Sequence, residues 1–273
     1  ALVENYASRL VEPRLFINLS GYFKLAFASG IFIAPIMGAF VVSTIGFQNY
    51  YLVVFAITML LALILTRIPH VENVSSSPIT LADFKALFKY PFVWWMMAMT
   101  FLVFLAPNTI YTFLSIYLSS VGQTQQQISL IYTITGVGAV LSGFVILFLG
   151  HRYSLRDLLR YGVMGVIITL IFIFPLNAWI LVPALLVFSL ALDLVVGVLF
   201  PVASTMPVKN PASLTATLSL TMSVTALVTS LINPLLFERF GFQFLLGMVA
   251  ISVTLGYFAM RRGLSAIESH ENT

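Results

Sequence analysis

Runs of apolar residues long enough to cross a hydrocarbon core, about 20 residues for a thickness of roughly 30 Å, recur along almost the whole chain. Eight can be read, at approximately 25–42, 50–66, 92–118, 128–149, 158–176, 180–203, 213–237 and 243–260. A strand of a membrane barrel alternates apolar and polar residues over about ten positions. Runs such as "YYLVVFAITMLLALIL" do not alternate, so these segments are expected to be helices. With 60% of 273 residues hydrophobic and 8% charged, no soluble domain of useful size is left over. The expected fold class is an all-α membrane protein with eight transmembrane helices.

The positive charges agree with that number. Cytoplasmic loops are enriched in Lys and Arg, and eight spans put both chain ends on one side. That side collects Arg9, Arg14, Lys24, Arg67, Lys85, Lys89, Arg152, Arg156, Arg160, Lys209, Arg261 and Arg262, which is twelve of the thirteen basic residues. The opposite loops hold Arg239 alone, beside Glu238. Both ends of the chain are therefore expected in the cytoplasm, in a cytoplasmic (inner) membrane. The basic balance then has a topological cause, and nucleic-acid binding loses its motive. Zero cysteines mean no disulfide framework and no thiolate metal site. The beginning, "ALVENYASRL", offers no signal peptide to subtract.

Two stretches are alike, "APIMGAFVVSTIGFQNYYLVV" at 34–54 and "NPLLFERFGFQFLLGMV" at 233–249. Each has a proline, then Gly-Phe-Gln, then an apolar start to the next span. Gly46 and Gly241 lie 195 residues apart (241 − 46), and Pro35 and Pro234 lie 199 apart (234 − 35). If the first and seventh spans are equivalent, the repeat holds six spans. The second copy is then complete and the first contributes only its last two helices. The expected division is 1–66 for those two helices, 67–91 for a cytoplasmic link, 92–262 for a six-helix bundle and 263–273 for a tail. On this expectation the chain is the C-terminal part of a twelve-helix protein.

Within "GYFKLAFASGIFIAPIMGAF", Gly21, Gly30, Ala34, Pro35 and Gly38 follow the spacing G-x8-G-x3-G-P-x2-G-G, with Ala34 and Ala39 in place of glycines. This resembles motif C, the antiporter motif of the major facilitator superfamily, whose members have two parallel halves of six helices. Gly30, Ala34 and Gly38 share one helical face on which another helix could pack closely, and Pro35 would kink the span beside it. The resemblance implies a seal between the two halves; plain packing is the simpler account. "GHRYSLR", 150–156, resembles a degraded copy of the family's cytoplasmic loop motif, with Arg152 and Arg156 at basic positions, His151 in place of the Asp and Ser154 in place of the Gly. Positive-inside anchoring also accounts for these arginines.

One acid lies deep in a span, Asp193. Intramembrane carboxylates are costly and usually face a wet cavity or a partner. Asp193 is the candidate proton-coupling residue, with Ser189, Gly197 and Ser204 on its helical face forming a water-exposed stripe; hydrogen bonding to a neighbouring helix is the alternative. Asn108, Tyr111, Thr112 and Ser115 line one face of the third span, which the resemblance implies is a substrate face. Tyr132 and Thr133, with Ser129 and Gly136, mark the fourth span, and Asn233, with Ser219, Ser223 and Ser230, the seventh. Small and hydroxyl residues at these spacings also serve helix packing. Lys24 is expected to snorkel to the headgroups. Trp94, Trp95 and Trp179 are expected as interfacial anchors.

The function these features imply is a secondary active transporter of a small organic solute working by alternating access, with protons as coupling ion, the bilayer as setting, and a monomer when full length. Motif C favours efflux by antiport. An importer of a sugar, osmolyte or organic acid is the alternative. A membrane-embedded enzyme would want convergent His, Asp or Glu at membrane depth, but His70, His151 and His270 lie outside the spans. No catalytic residue, cofactor or metal site is expected.

Overall fold

The computed structural model describes residues 13–67, 81–150, 152–176 and 178–271, without the side chains of 13–20, 34–40, 42, 43, 47, 65, 81, 178 and 269–271. Most of the expected link at 67–91, together with His151 and the side-chain surroundings of Ala34, Pro35 and Gly38, lies outside the described residues.

The described residues form seven helical segments: α1 (Pro13–Leu65), α2 (Leu81–Leu87), α3 (Pro91–Ser120), α4 (Gln125–Leu149), α5 (Leu155–Ile173), α6 (Ala178–Ser204) and α7 (Pro211–Glu271). Two of these are broken by a single glycine. Gly46 divides α1 at φ 81°, ψ 162°, and Gly241 divides α7 at φ 79°, ψ 178°. The two arms of α1, the two arms of α7 and the four helices α3–α6 account for the eight apolar runs. Among the described residues four helices, 91–120, 125–149, 179–204 and 211–268, are long and apolar enough to cross a membrane. In hydrocarbon a helix is the natural solution, since it satisfies the backbone donors and acceptors within one segment.

The connections expected between the first and second spans and between the seventh and eighth are not loops. Each reduces to one glycine in a region of φ/ψ space that side-chain-bearing residues almost never enter. The two Gly-Phe-Gln triplets singled out by their likeness thus carry the same backbone conformation. Other ends use side-chain caps. Thr124 accepts from Gln127 N while the Gln127 side chain accepts from Thr124 N at 2.8 Å, a reciprocal capping box. Ser154 caps α5 by accepting from Asp157 N.

Helix packing relies on close backbone approach at small residues, as expected where lipid removes most of the hydrophobic drive between helices. α4 runs antiparallel to α1: Gly143 faces Leu25 and Gly136 faces Phe32, while Gly21 of α1 faces Leu147. A Cβ added at Gly136 would fall 2.8 Å from the Phe32 Cα, and one at Gly138 only 2.4 Å from the Leu186 carbonyl oxygen of α6. α3 packs along both arms of α7. Beside the first arm it runs parallel, through Thr109–Asn233 and Phe113–Phe237; beside the second it runs antiparallel, through Tyr117–Phe242, Val103–Gly256 and Met96–Gly263. The core lies between α3, α5, α6 and α7, with Met96, Met99, Val103, Leu159, Leu185, Phe188 and Leu199 fully buried. The second arm of α1 is different: every residue from 51 to 64 is exposed.

Backbone strain and steric fit can be separated at α7. Among the described residues nothing lies within 4 Å of a Cβ built at Gly241, so Gly241→Ala meets backbone strain alone, about 1–3 kcal/mol. Gly247 is helical and would touch only Phe174 at 3.9 Å, so Gly247→Ala is expected to be neutral or stabilising by up to about 1 kcal/mol. Thermal unfolding of the two variants in detergent should separate them in that order; equal midpoints would mean that the turn tolerates an ordinary residue.

Candidate functional site

Lys24 and Asp193 are a base and an acid: Lys24 stands at the start of the first apolar run, and Asp193 is the sole charged residue of the sixth. In the structure they find each other. The Lys24 ammonium makes an ion pair with Asp193 Oδ1, joining the first arm of α1 to α6. Their side chains are 4% and 11% exposed, so the pair is removed from solvent. This corrects the expectation that Lys24 reaches the headgroups. A buried carboxylate within reach gives the ammonium a partner of opposite charge inside the protein.

The pair has a defined surround. Lys24 Nζ lies 5.3 Å from the centroid of the Phe27 ring, a cation–π distance. The lysine stem passes Gly197, where an added Cβ would stand 3.3 Å from Lys24 Cγ and 2.6 Å from Ile146 Cδ1. Glycine at 197 is thus what lets the stem lie against α6. The second carboxylate oxygen, Oδ2, is 3.1 Å from Ser189 Oγ, which is also 2.6 Å from the Thr135 carbonyl oxygen on α4. The face expected as a water-exposed stripe is therefore covered: Ser189, Asp193 and Gly197 are all buried, with Lys24 and Ile146 against them. Ser204, farther along, donates to the Pro201 carbonyl.

Tyr111 of α3 joins this group. Its phenol sits beside Ser189 and in the field of Asp193. Its ring packs edge-on to Phe188 at 6.1 Å and lies 6.3 Å from that of Tyr132. Tyr132 donates its hydroxyl to the Tyr111 carbonyl at 2.7 Å and lies beside Ser115. The chain of polar contacts thus runs from Ser115 and Tyr132 through Tyr111 and Ser189 to Asp193 and Lys24.

The other candidates separate. Asn108 donates to the Phe104 carbonyl and Thr133 to Ser129, each within its own helix. Asn233 donates to Thr109 Oγ1 at 2.8 Å and ties α7 to α3 in a buried position. Ser219, Ser223 and Ser230 return to carbonyls four residues back. Gly21 is buried against Leu147, whereas Gly30 is exposed and a Cβ there would meet nothing within 4 Å among the described residues. The close approaches between α1 and α4 come from Gly21 of α1 and from Gly136 and Gly143 of α4. Arg152 is exposed in the turn after α4. Arg160 bridges Asp157 and Glu268 at 3.3 Å each, linking α5 to the end of α7. Trp94, Trp95 and Trp179 are exposed, as anchors at a membrane interface would be.

Sequence reasoning missed Lys24, Ser189 as a carboxylate ligand, Thr109 and Thr135. The signal for Lys24 was present: a lone acid in one apolar run and a base at the start of another imply a pair. Thr135 takes part through its carbonyl, which no side-chain pattern reports. The ladder Thr217, Thr221, Thr225 and Thr229, each donating to the carbonyl four residues earlier, was also passed over.

Removing one charge of a buried pair leaves the other uncompensated, at a cost of about 3–5 kcal/mol, whereas removing both leaves none. Lys24→Met and Asp193→Leu are each expected to destabilise by that order, and the two combined to recover most of it. A double-mutant cycle in detergent measures the coupling; strictly additive losses would show that the pair contributes nothing.

The family model described as Major Facilitator Superfamily matches residues 1–231. A solved structure titled "Crystal structure of a bacterial homologue of iron transporter ferroportin in outward-facing state" is similar at 17% identity and a TM-score of 0.66, over 94% of this chain. The chain spans 66% of that protein's length. No curated protein matches.

Proposed function

From the premise that the chain belongs to the major facilitator superfamily, we propose that it is part of a secondary active transporter that moves a small organic solute by alternating access and couples the movement to protons at Asp193. The observation that carries this reading is the ion pair buried between α1 and α6. A carboxylate and an ammonium held at membrane depth are costly to keep for packing alone, and ionisable groups there commonly belong to ion or substrate paths. The hydroxyls of Tyr111 and Ser189 supply polar groups beside the carboxylate.

In this reading residues 1–66 are two helices of an N-terminal bundle, 67–91 the cytoplasmic link, 92–262 a six-helix bundle and 263–273 a tail, with both ends of the chain in the cytoplasm. The matching conformations of Gly46 and Gly241 support the repeat on which that division rests. Lys24 and Asp193 then belong to different bundles, so rocking of one against the other strains or breaks their contact. The spacing of Gly21, Gly30, Ala34, Pro35 and Gly38 supports efflux by antiport. The second reading, proton-linked uptake of an organic acid, is favoured by one observation, the cationic Lys24 inside the membrane. In neither reading does the chain catalyse a reaction.

The test is transport of a panel of dyes, drugs, sugars and organic acids into everted membrane vesicles containing the protein expressed from its intact gene, with and without an imposed pH gradient. Gradient-driven accumulation of a drug or dye that disappears in Asp193→Asn is the expected outcome. Accumulation that persists in the variant would remove Asp193 from proton coupling. Gradient-driven movement of an acid or sugar in the opposite direction would favour uptake over efflux.

A further inference from the structure

A second polar site lies between α5 and α7, away from Lys24 and Asp193. α5 and the second arm of α7 run antiparallel, with Phe174 beside Gly247 towards one end of their seam and Arg160 beside Glu268 at the other. At that charged end an open cavity of about 480 Å³ is lined by Arg160, Tyr257, Arg261, Ser265 and Glu268. The four lining residues of α7 follow one another at intervals of four, four and three, so they share one face of the helix.

The two arginines differ. Arg160 meets Asp157 and Glu268 through one nitrogen each at 3.3 Å, longer than the roughly 2.7–2.9 Å of a good charge-assisted bond. Arg261 is exposed and, among the described residues, is paired with no carboxylate; the Tyr257 and Ser265 hydroxyls have no hydrogen-bond partner among them either. Arg262, the next residue, is exposed as well. Arg160, Arg261 and Arg262 against Asp157 and Glu268 leave one positive charge in excess (3 − 2). Tyr257, Arg261 and Ser265 thus offer a guanidinium with a hydroxyl one turn to either side. All three donate hydrogen bonds, and the oxygens of a phosphodiester accept them.

Beyond the cavity the seam is apolar. Met164 and Ile168 of α5 and Ile251 and Phe258 of α7 are exposed, one to three turns from the charged end. α1 packs on α4 and α6 instead. A soluble phosphate needs the donors alone, whereas a lipid needs them at the head of an apolar track, which is the arrangement here. Basic pockets between membrane helices receive anionic headgroups in this way. Glu268 already faces Arg160, so the ammonium of an ethanolamine headgroup finds no unpaired carboxylate among the lining residues.

We propose that the cavity between α5 and the second arm of α7 binds one anionic phospholipid of the phosphatidylglycerol kind, with its phosphate on Arg261, Tyr257 and Ser265 and an acyl chain along the apolar seam. The bound lipid adds to the long Arg160–Glu268 contact in holding the end of α7 to α5. The site goes beyond the transport reading and needs only the membrane setting, so either can fail without the other.

The experiment is native mass spectrometry of the delipidated protein, expressed from its intact gene and titrated in detergent with phosphatidylglycerol, phosphatidylethanolamine or phosphatidylcholine. One phosphatidylglycerol should bind about tenfold more tightly than either zwitterionic lipid, as a charge-assisted contact to phosphate implies. Arg261→Gln should remove that preference, while Arg239→Gln, at the turn between the two arms of α7, should keep it. Equal binding of the three lipids by wild type, or an Arg261→Gln variant that retains the preference, would overturn the proposal. Displacement of phosphatidylglycerol by equimolar glycerol 1-phosphate would make this a site for free phosphate and overturn the lipid assignment. The comparison of lipids on wild type decides the matter even if the variant does not fold.

Discussion

The scarcity of hydrogen-bonding partners in a hydrocarbon setting governs most of what this structure does. A backbone amide or a side-chain hydroxyl in hydrocarbon has no solvent to fall back on, so each must find a partner within the protein. The helices answer this for the backbone. The threonine ladder of α7 answers it for hydroxyls, by returning each to a carbonyl one turn back. Lys24 and Asp193 answer it for charge, and they can do so only together, because neither has a neighbour of opposite sign on its own helix. Their pairing fixes the first arm of α1 against α6, while glycines on α4 let α1 come close enough for the lysine stem to reach.

That arrangement makes one contact serve both packing and chemistry. Gly197 is needed because the Lys24 stem and Ile146 occupy the space a side chain would take. Ser189 links α6 to α4 through the Thr135 carbonyl and also lies against the carboxylate. Any movement that separates α1 from the remaining helices must provide other partners for two charges at once.

The likeness of the two Gly-Phe-Gln triplets shows how far local sequence carries. Both adopt the same glycine-only backbone, which turns two helices end to end with almost no loop. Their equivalence was visible as text because a backbone conformation closed to other residues leaves a fixed letter in the sequence. The packing face of α1 was not visible in the same way. Gly30 looked like a contact and is exposed, while the glycines that receive α1 belong to α4, more than a hundred residues away. Small residues report that something can approach but not which helix does.

The sequence alone determined the solvent, the helical class, the eight apolar runs and the distribution of positive charge, because each depends on residues summed over a local window. It also singled out Asp193, since a lone acid in an apolar run is conspicuous. Only the tertiary structure decided that Lys24 lies inside with it, that Ser189 and Tyr111 complete its surround, and that Asn233 is spent on holding α3 to α7. Those facts depend on the register between helices distant in the chain, which is set by shape fit at particular glycines and carries no signature in the spacing of either partner.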